Sequence, residues 1–419
     1  MKSPLQKRIL NRLHSITRSL ILSLPAALLL SLFIYLHHWD LAHWLPLSFL
    51  ALGGLFLWLK MPRAQAFWLG FLVALFWFWW VGMSFRFTDY GWLIPFVAVG
   101  VSAVYGALFF LIGFLPLLGR AAAIGFGFDW VEPLRFVWFK PELVLMGSAF
   151  GASKVSFVLV LLALAWLLCA HWPRPRAGFV GGGALLLAAL LWPEPSTRPA
   201  DPPLSIHLVQ TDLHQSLKWE PQLRDRHAAD AIAAIDQAIA QGHDLVVLPE
   251  AAFPLFLNLS PHWMAQLKAR SEAIAIFTGG LHHKEGFAYN SAFFFHEGEV
   301  TIADKVYLVP FGEGNPLPQW LSGWVNTIFF EGAEDYRPAD RPTDFEIEGT
   351  TFRAAICYEA TVAGLFRQAP PYMIAISNNG WFVPSIEPTL QRLLMQLQAR
   401  RHGVLIFHAS NESPSEVIF

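Results

Sequence analysis

The chain has 419 residues, of which 55% are hydrophobic and only 14% charged, with 18 tryptophans, 2 cysteines and a net charge of −2. That charge content lies well below the roughly 25% of a soluble globular domain, and the near-neutral balance offers no footprint for nucleic acid. Two cysteines, one of them inside an apolar run, exclude a disulfide framework.

The apolar residues are concentrated in the first half. Stretches near the roughly 20 residues that a bilayer requires fall at 17–37, 44–60, 64–84, 92–118, 119–139, 155–172 and 178–192, which predicts about seven membrane spans. The second and last are short. The fifth is weak because it contains Asp129, Glu132 and Arg135, groups that are costly in lipid and are expected to pair with one another. The first lacks the small-residue cleavage site of a signal peptide and is read as retained. Lys2, Lys7, Arg8, Arg12 and Arg18 favour a cytoplasmic start, and Lys60, Arg63, Arg120, Arg174 and Arg176 then also fall inside. An odd number of spans leaves everything after about residue 193 on the far side, the periplasm of a bacterial cell. "FWFWWVGMSF", at the end of the third span, reads as an interfacial aromatic belt, and Cys169 in the sixth as packing. His37, His38 and His43 form no convincing ligand set, so neither a metal nor another cofactor is expected.

At "WPEPSTRPADPPLS", Trp192 to Ser205, the composition changes to that of a Pro-rich linker, placed at 193–203. The segment "PQLRDRHAADAIAAIDQAIAQG" predicts a helix with Ile232, Ile235 and Ile239 on one face and Gly242 as its stop. "DLVVLPE" and "IAIFTGG" read as buried strands. "SAFFFHEGEVTIADK" and "DFEIEGTTFRAAICYE" each read as two strands around a Glu-Gly turn. "YMIAISNNG" is a strand, "PTLQRLLMQLQARRHG" an amphipathic helix and "VLIFHASNE" a last strand. The organisation expected is therefore a polytopic α-helical membrane domain over 1–192, followed by an α/β sandwich over 204–419.

Three polar residues share one position in this pattern. Glu250 ends "DLVVLPE", Lys305 ends "VTIADK" and Cys357 ends "FRAAIC", each where an apolar strand stops and α/β sheets display functional groups. A thiol of ordinary pKa near 8.5 is mostly protonated at neutral pH, so a nucleophilic cysteine needs a base or a nearby cation. Glu250 is suited to take the proton, and Lys305 to stabilise the thiolate and then an oxyanion. Singly, each has a plainer role: Cys357 as a small core hydrophobe, Glu250 as a surface carboxylate, Lys305 as an edge-strand charge. Spacing alone stops at a cysteine hydrolase or acyltransferase.

The ordered set Pro-Glu, Lys, Cys-Tyr-Glu resembles the nitrilase, or carbon–nitrogen hydrolase, superfamily over roughly residues 204 to 415. Within it the chain is similar to the apolipoprotein N-acyltransferases, its membrane-bound branch. "VQTDLHQSLKW", with Gln210, Gln215, Lys218 and Trp219, looks like that family's opening motif. "LPEAAFP", "YNSAFFF", "KVYLVPFGEGNPLP", "ICYEA" and "SNNGWF" continue the series. The resemblance implies an α-β-β-α nitrilase-like sandwich with a Glu250–Lys305–Cys357 catalytic set. It implies a second essential glutamate at Glu313 and supporting roles for Trp219, Tyr358 and Glu359. The implied reaction moves an acyl chain from a phospholipid, phosphatidylethanolamine by the same resemblance, through a Cys357 thioester to diacylglyceryl-cysteine of an apolipoprotein. The implied location is the bacterial inner membrane, with the catalytic domain periplasmic. A membrane-bound nitrilase-like amidase, or the plasmid conjugal-transfer protein of the same superfamily, is the alternative. The family motif reads Ser-Asn-Asp before Trp-Phe where this chain has Asn378, Asn379 and Gly380, and Thr-Asn-x-Gly where "HASNESPS" stands. The catalytic domain is also read as C-terminally short, because the family adds strands and an eighth membrane helix beyond the position of Phe419.

Overall fold

The computed structural model describes residues 4–151, 153–169, 175–194, 196–316 and 335–419. The chain divides into two compact units. One comprises 1–133, 139–194 and 385–390; the other comprises 134–138, 195–384 and 391–419.

The first unit is helical. Its helices are α1 (Pro4–His38), α2 (Trp44–Lys60), α3 (Arg63–Phe78), α4 (Ile94–Ile112), α5 (Leu117–Phe126), α6 (Lys154–Cys169) and α7 (Pro175–Leu191). By length and composition, His14–His38 and Gly91–Ile112 are able to cross a membrane, and α3 with the bent 3-10 turn Val81–Phe87 makes a third candidate. Trp44–Lys60, Lys154–Cys169 and Gly178–Leu191 are shorter apolar helices. The stretch expected as a fifth span, 119–139, is not one continuous helix. At about 1.5 Å per residue, the ten residues of α5 cover about half a bilayer core, and short 3-10 turns at Gly127–Asp129 and Pro133–Arg135 follow.

Three expectations for this unit are corrected. Asp129 pairs with Lys154 at 2.8 Å and Glu132 with Lys140 at 3.6 Å, so the acidic groups find lysines rather than Arg135. Lys154 also binds the buried Glu142 at 3.0 Å. The aromatic run is core and not a belt: Trp77, Phe78 and Trp80 are buried, with Phe139 against Trp77 at 5.1 Å and Tyr105 against Phe139 at 4.9 Å. Cys169 is exposed rather than packed. Large apolar side chains such as Phe96, Phe179 and Leu191 are exposed on the helices, an arrangement that suits hydrocarbon surroundings.

The second unit is an α-β-β-α sandwich. One six-stranded sheet has β1 (Ile206–Leu208), β2 (Leu245–Val247), β4 (Ala275–Lys284), β5 (Phe287–His296) and β6 (Glu299–Asp304) in that order, with β3 (Phe253–Phe256) also on β4. The five-stranded sheet runs β11 (Glu416–Ile418), β10 (Leu405–Asn411), β9 (Tyr372–Asn378), β8 (Thr350–Ile356), β7 (Asp344–Ile347). β8, β9 and β10 are parallel, as are β1, β2 and β4, while hairpins join β5 to β6 and β7 to β8. Both expected Glu-Gly turns are found. Glu297 and Gly298 have φ 50° and 76°, Glu348 and Gly349 have 47° and 75°, the left-handed pair that a two-residue hairpin turn demands.

The sheets face each other across one apolar layer that includes Val247, Phe277, Phe294, Phe352, Ile356, Ile376 and Phe407. On the outer face of the first sheet lie α9 (Arg224–Ala240) and α10 (Pro261–Arg270); α11 (Glu387–His402) covers the second. A four-residue helix, α8 (Gln215–Lys218), precedes them. Strands β1, β3 and β11 and helix α10 had no counterpart in the sequence reading. Each strand among them is only three or four residues long.

Candidate active site

The functional groups gather beyond the strand ends of the second unit. Glu250 lies three residues past β2, in a turn where Ala251 takes φ 50°. β4 passes so close that a Cβ on Gly279 would sit 2.7 Å from Glu250 Cα, so only glycine fits there. The Glu250 carboxylate is buried and doubly held. Oε1 accepts from Asn290 Nδ2 at 2.8 Å, and Oε2 accepts from the Asn378 backbone N–H at 2.8 Å.

Lys305 follows β6 and is wholly buried. Its ammonium binds Glu313, with Nζ 2.9 Å from Oε1 and 2.7 Å from Oε2. Glu313 also accepts from Asn290 Nδ2 at 2.6 Å and from the Val309 N–H at 2.9 Å. Asn290 therefore bridges the two carboxylates, and Glu250, Asn290, Glu313 and Lys305 form one continuous hydrogen-bonded chain. Burial acts to lower the Lys305 pKa, yet Glu313, Glu250 and Cys357 together raise it well above its ordinary value. Lys305 is thus a fixed cation in the company of the cysteine.

Cys357 is the first residue after β8, half-buried, with φ 53°. A non-glycine residue in the left-handed region at a strand end is a strained corner of the sort found at functional sites. The next two residues brace it. Glu359, buried, accepts from Ile356 N–H through Oε1 at 2.8 Å, and from the N–H groups of Val306 and Tyr307 through Oε2 at 2.8 and 3.2 Å. One carboxylate so ties the Cys357 corner to the chain leaving Lys305. Burial pushes the Glu359 pKa up to about 7, against the opposing pull of Lys305 and the three N–H donors. The Tyr358 hydroxyl donates to the Arg135 carbonyl and accepts from the Val137 N–H, both at 3.0 Å, and Trp138 stacks on its ring at 6.0 Å. Arg135 thus enters through its carbonyl, not as the ion-pair partner expected of it.

The geometry therefore draws Glu250, Lys305 and Glu313 into one network, with Cys357 acting on the Lys305 charge, and gives Glu359 and Tyr358 bracing contacts. Trp219 is 37% exposed at the end of α8. Several contributors were not assigned a role by sequence reasoning. Asn290 was visible only as part of a motif string. Lys218 is buried with Nζ 2.9 Å from the Glu250 carbonyl, and burial lowers its pKa to about 8, with Glu250, Glu412 and Cys357 opposing that fall. Tyr336, beside Glu313 and Glu250, has its phenol pushed up to about 12 by burial and those carboxylates. Gln391 reaches Cys357 from α11 with Nε2 3.7 Å from Sγ. No signal but spatial proximity identifies Tyr336 and Gln391. Among the described residues, no group of three or more His, Cys, Asp or Glu side chains is placed to hold a metal ion.

The family profile for the apolipoprotein N-acyltransferase integral membrane domain matches residues 17–179, and that for carbon–nitrogen hydrolases matches 217–410. An apolipoprotein N-acyltransferase from Wolinella succinogenes is 44% identical over 404 residues, 96% of each chain. The chain belongs to the apolipoprotein N-acyltransferase family. A second apolipoprotein N-acyltransferase, from Helicobacter pylori, is 38% identical and covers 89% of this chain and 86% of its own. Among solved structures, a carbon–nitrogen hydrolase superfamily protein from Xanthomonas campestris is 16% identical, covers 50% of this chain and 76% of its own, and has a TM-score of 0.39, too slight a likeness to add to the family match. The membrane-domain match thus precedes the hydrolase match along the chain. The hydrolase match spans Lys218, Glu250, Asn290, Lys305, Glu313, Cys357 and Gln391.

Proposed function

We propose that this chain N-acylates apolipoproteins, moving a fatty acyl group from a phospholipid, through a thioester on Cys357, to the α-amino group of diacylglyceryl-cysteine. The name of the relatives supplies the acceptor class. The observation that carries the chemistry is the buried chain Glu250–Asn290–Glu313–Lys305, whose ammonium interacts with Cys357.

In this reading Glu250 takes the thiol proton and Sγ attacks the ester carbonyl of the phospholipid. Lys305, kept charged by Glu313, holds the oxyanion. Collapse expels lysophospholipid, which receives its proton from Glu250, and leaves the acyl group on sulfur. The free amine of the acceptor then attacks the thioester, Glu250 again removes a proton, and the amide leaves with Cys357 restored. Phosphatidylethanolamine is the donor that the family resemblance favours.

Mass spectrometry of the purified protein incubated with phospholipid tests the reading. An acyl mass on the Cys357 peptide, removable by hydroxylamine, is expected. A chain that never acquires it, but hydrolyses a soluble amide without phospholipid, is the amidase instead. We further propose that residues 1–192 form the membrane domain, with the sandwich on the periplasmic side of the inner membrane. Reporter fusions at residues 62 and 300 are expected to report cytoplasm and periplasm respectively, and the reverse pattern would overturn the orientation.

A further inference from the structure

Gln391 is a fully buried polar side chain on α11, with Leu393 and Leu394 as buried neighbours on the same helix. An amide without access to water is costly unless its donors and acceptor are used. Its Nε2 points to Cys357 Sγ at 3.7 Å. Its Oε1 accepts from Asn379 Nδ2 at 3.1 Å, and the same Nδ2 donates to Ser413 Oγ at 2.9 Å. Asn379 and Ser413 are themselves buried, and Ser413 Oγ is hydrogen-bonded to Ser410 Oγ at 2.7 Å. With Asn379 Nδ2 donating to both Gln391 Oε1 and Ser413 Oγ, the Nε2 end of Gln391 is the one that faces the sulfur. A flip of Gln391 would set two NH2 groups against each other and turn an oxygen lone pair toward Sγ.

We propose that Gln391 belongs to the catalytic set: its amide N–H donates to the Cys357 sulfur, favours the thiolate and fixes the direction from which that sulfur attacks. This rests on reading Cys357 as the nucleophile. A hydrogen bond to the charged form of an acid favours that form, and bonds to ionised partners are the stronger ones. The charged groups around the sulfur are Lys305 and Lys218, with Glu250 and Glu313 beside the first, Glu250 and Glu412 beside the second, and Glu359 two residues along the chain. Gln391 carries no titratable proton, so its contribution moves the titration of the thiol without adding an inflection of its own. The separation of 34 residues explains why the sequence gives no hint of the pairing.

The test is the rate of iodoacetamide alkylation against pH for the full-length protein in mild detergent on a Cys169→Ala background, which leaves Cys357 as the reacting thiol. The parent is expected to show an inflection below about 8, under the ordinary thiol value. Gln391→Met removes the donor at similar length and is expected to move the inflection upward, with alkylation at neutral pH slower by about tenfold. Gln391→Glu, isosteric, places an acceptor at the sulfur and is expected to move it further; it also carries the test should the Met variant not fold. A parent thiol with an inflection below 8 and two variants with its unaltered profile would overturn the role of Gln391 alone. A parent thiol inert until strongly alkaline pH would overturn the nucleophile reading, and the inference with it.

Discussion

Two lysines lie buried in the sandwich, and their surroundings differ in one respect. Lys305 meets the Glu313 carboxylate at 2.7 Å, whereas Lys218 meets, among the described residues, a backbone carbonyl at 2.9 Å. Burial disfavours the ammonium form in both places. Where a carboxylate answers it directly, the charge is locked on. Where a carbonyl dipole answers it, with carboxylates acting only through space, the pKa falls to about 8. The same residue type thus serves as a permanent cation beside Glu313 and as a group close to titration beside the Glu250 carbonyl.

The sharpest way to break this comparison is Lys305→Met. It removes the proposed oxyanion partner and leaves Glu313 buried without its cation, so acylation of Cys357 is expected to fall by about a thousandfold, measured by single-turnover mass spectrometry. Glu250→Gln is expected to cost at least about a hundredfold, the scale of a lost general base. A Glu250→Gln variant that acylates at the parental rate would transfer the base role to Glu313, which shares Asn290 with Glu250.

Lys218→Met is expected to slow acylation by less than about tenfold, since one hydrogen bond to a carbonyl is lost. Its larger signature is in stability. The folded pKa of about 8 lies below the ordinary 10.5, so between those values the unfolded chain binds more protons than the folded one, and stability rises with pH across that window. Lys305, raised instead, holds its contribution constant there and loses it only at still higher pH. Unfolding midpoints of the parent should therefore gain on those of Lys218→Met between pH 8 and about 10. Equal pH slopes would show that Lys218 is not the titrating group.

What was legible in the sequence was local. Each Glu-Gly turn set between apolar strands identified a hairpin because a two-residue loop needs left-handed backbone, and the paired signal was found at both places. Glu250, Lys305 and Cys357 were legible because strand ends are where side chains leave the core. What was not legible depended on partners far along the chain. The lysines that answer Asp129 and Glu132 lie 25 and 8 residues away. Aromatic residues at the end of α3 look alike whether they face a lipid headgroup or the ring of Phe139. Strands of three residues, such as β1 and β11, carry no periodicity to read, since their pairing comes from the neighbouring strand. The bridge through Asn290 is likewise invisible from its motif, which shows an amide but not the two carboxylates on either side of it.

The left-handed corner at Cys357 has a consequence for how this site can change over generations. Glycine would occupy that backbone position with less strain, by about 1 kcal/mol or a little more, and would still leave the braces through Glu359 and Tyr358 in place. Selection for durability alone would therefore favour the substitution that abolishes the thiol. On the proposed reading of Cys357 as the nucleophile, its thiol chemistry is what holds the residue against that gradient, and a lineage relieved of the need for it has a mutation at hand that relaxes the backbone and leaves the site inert.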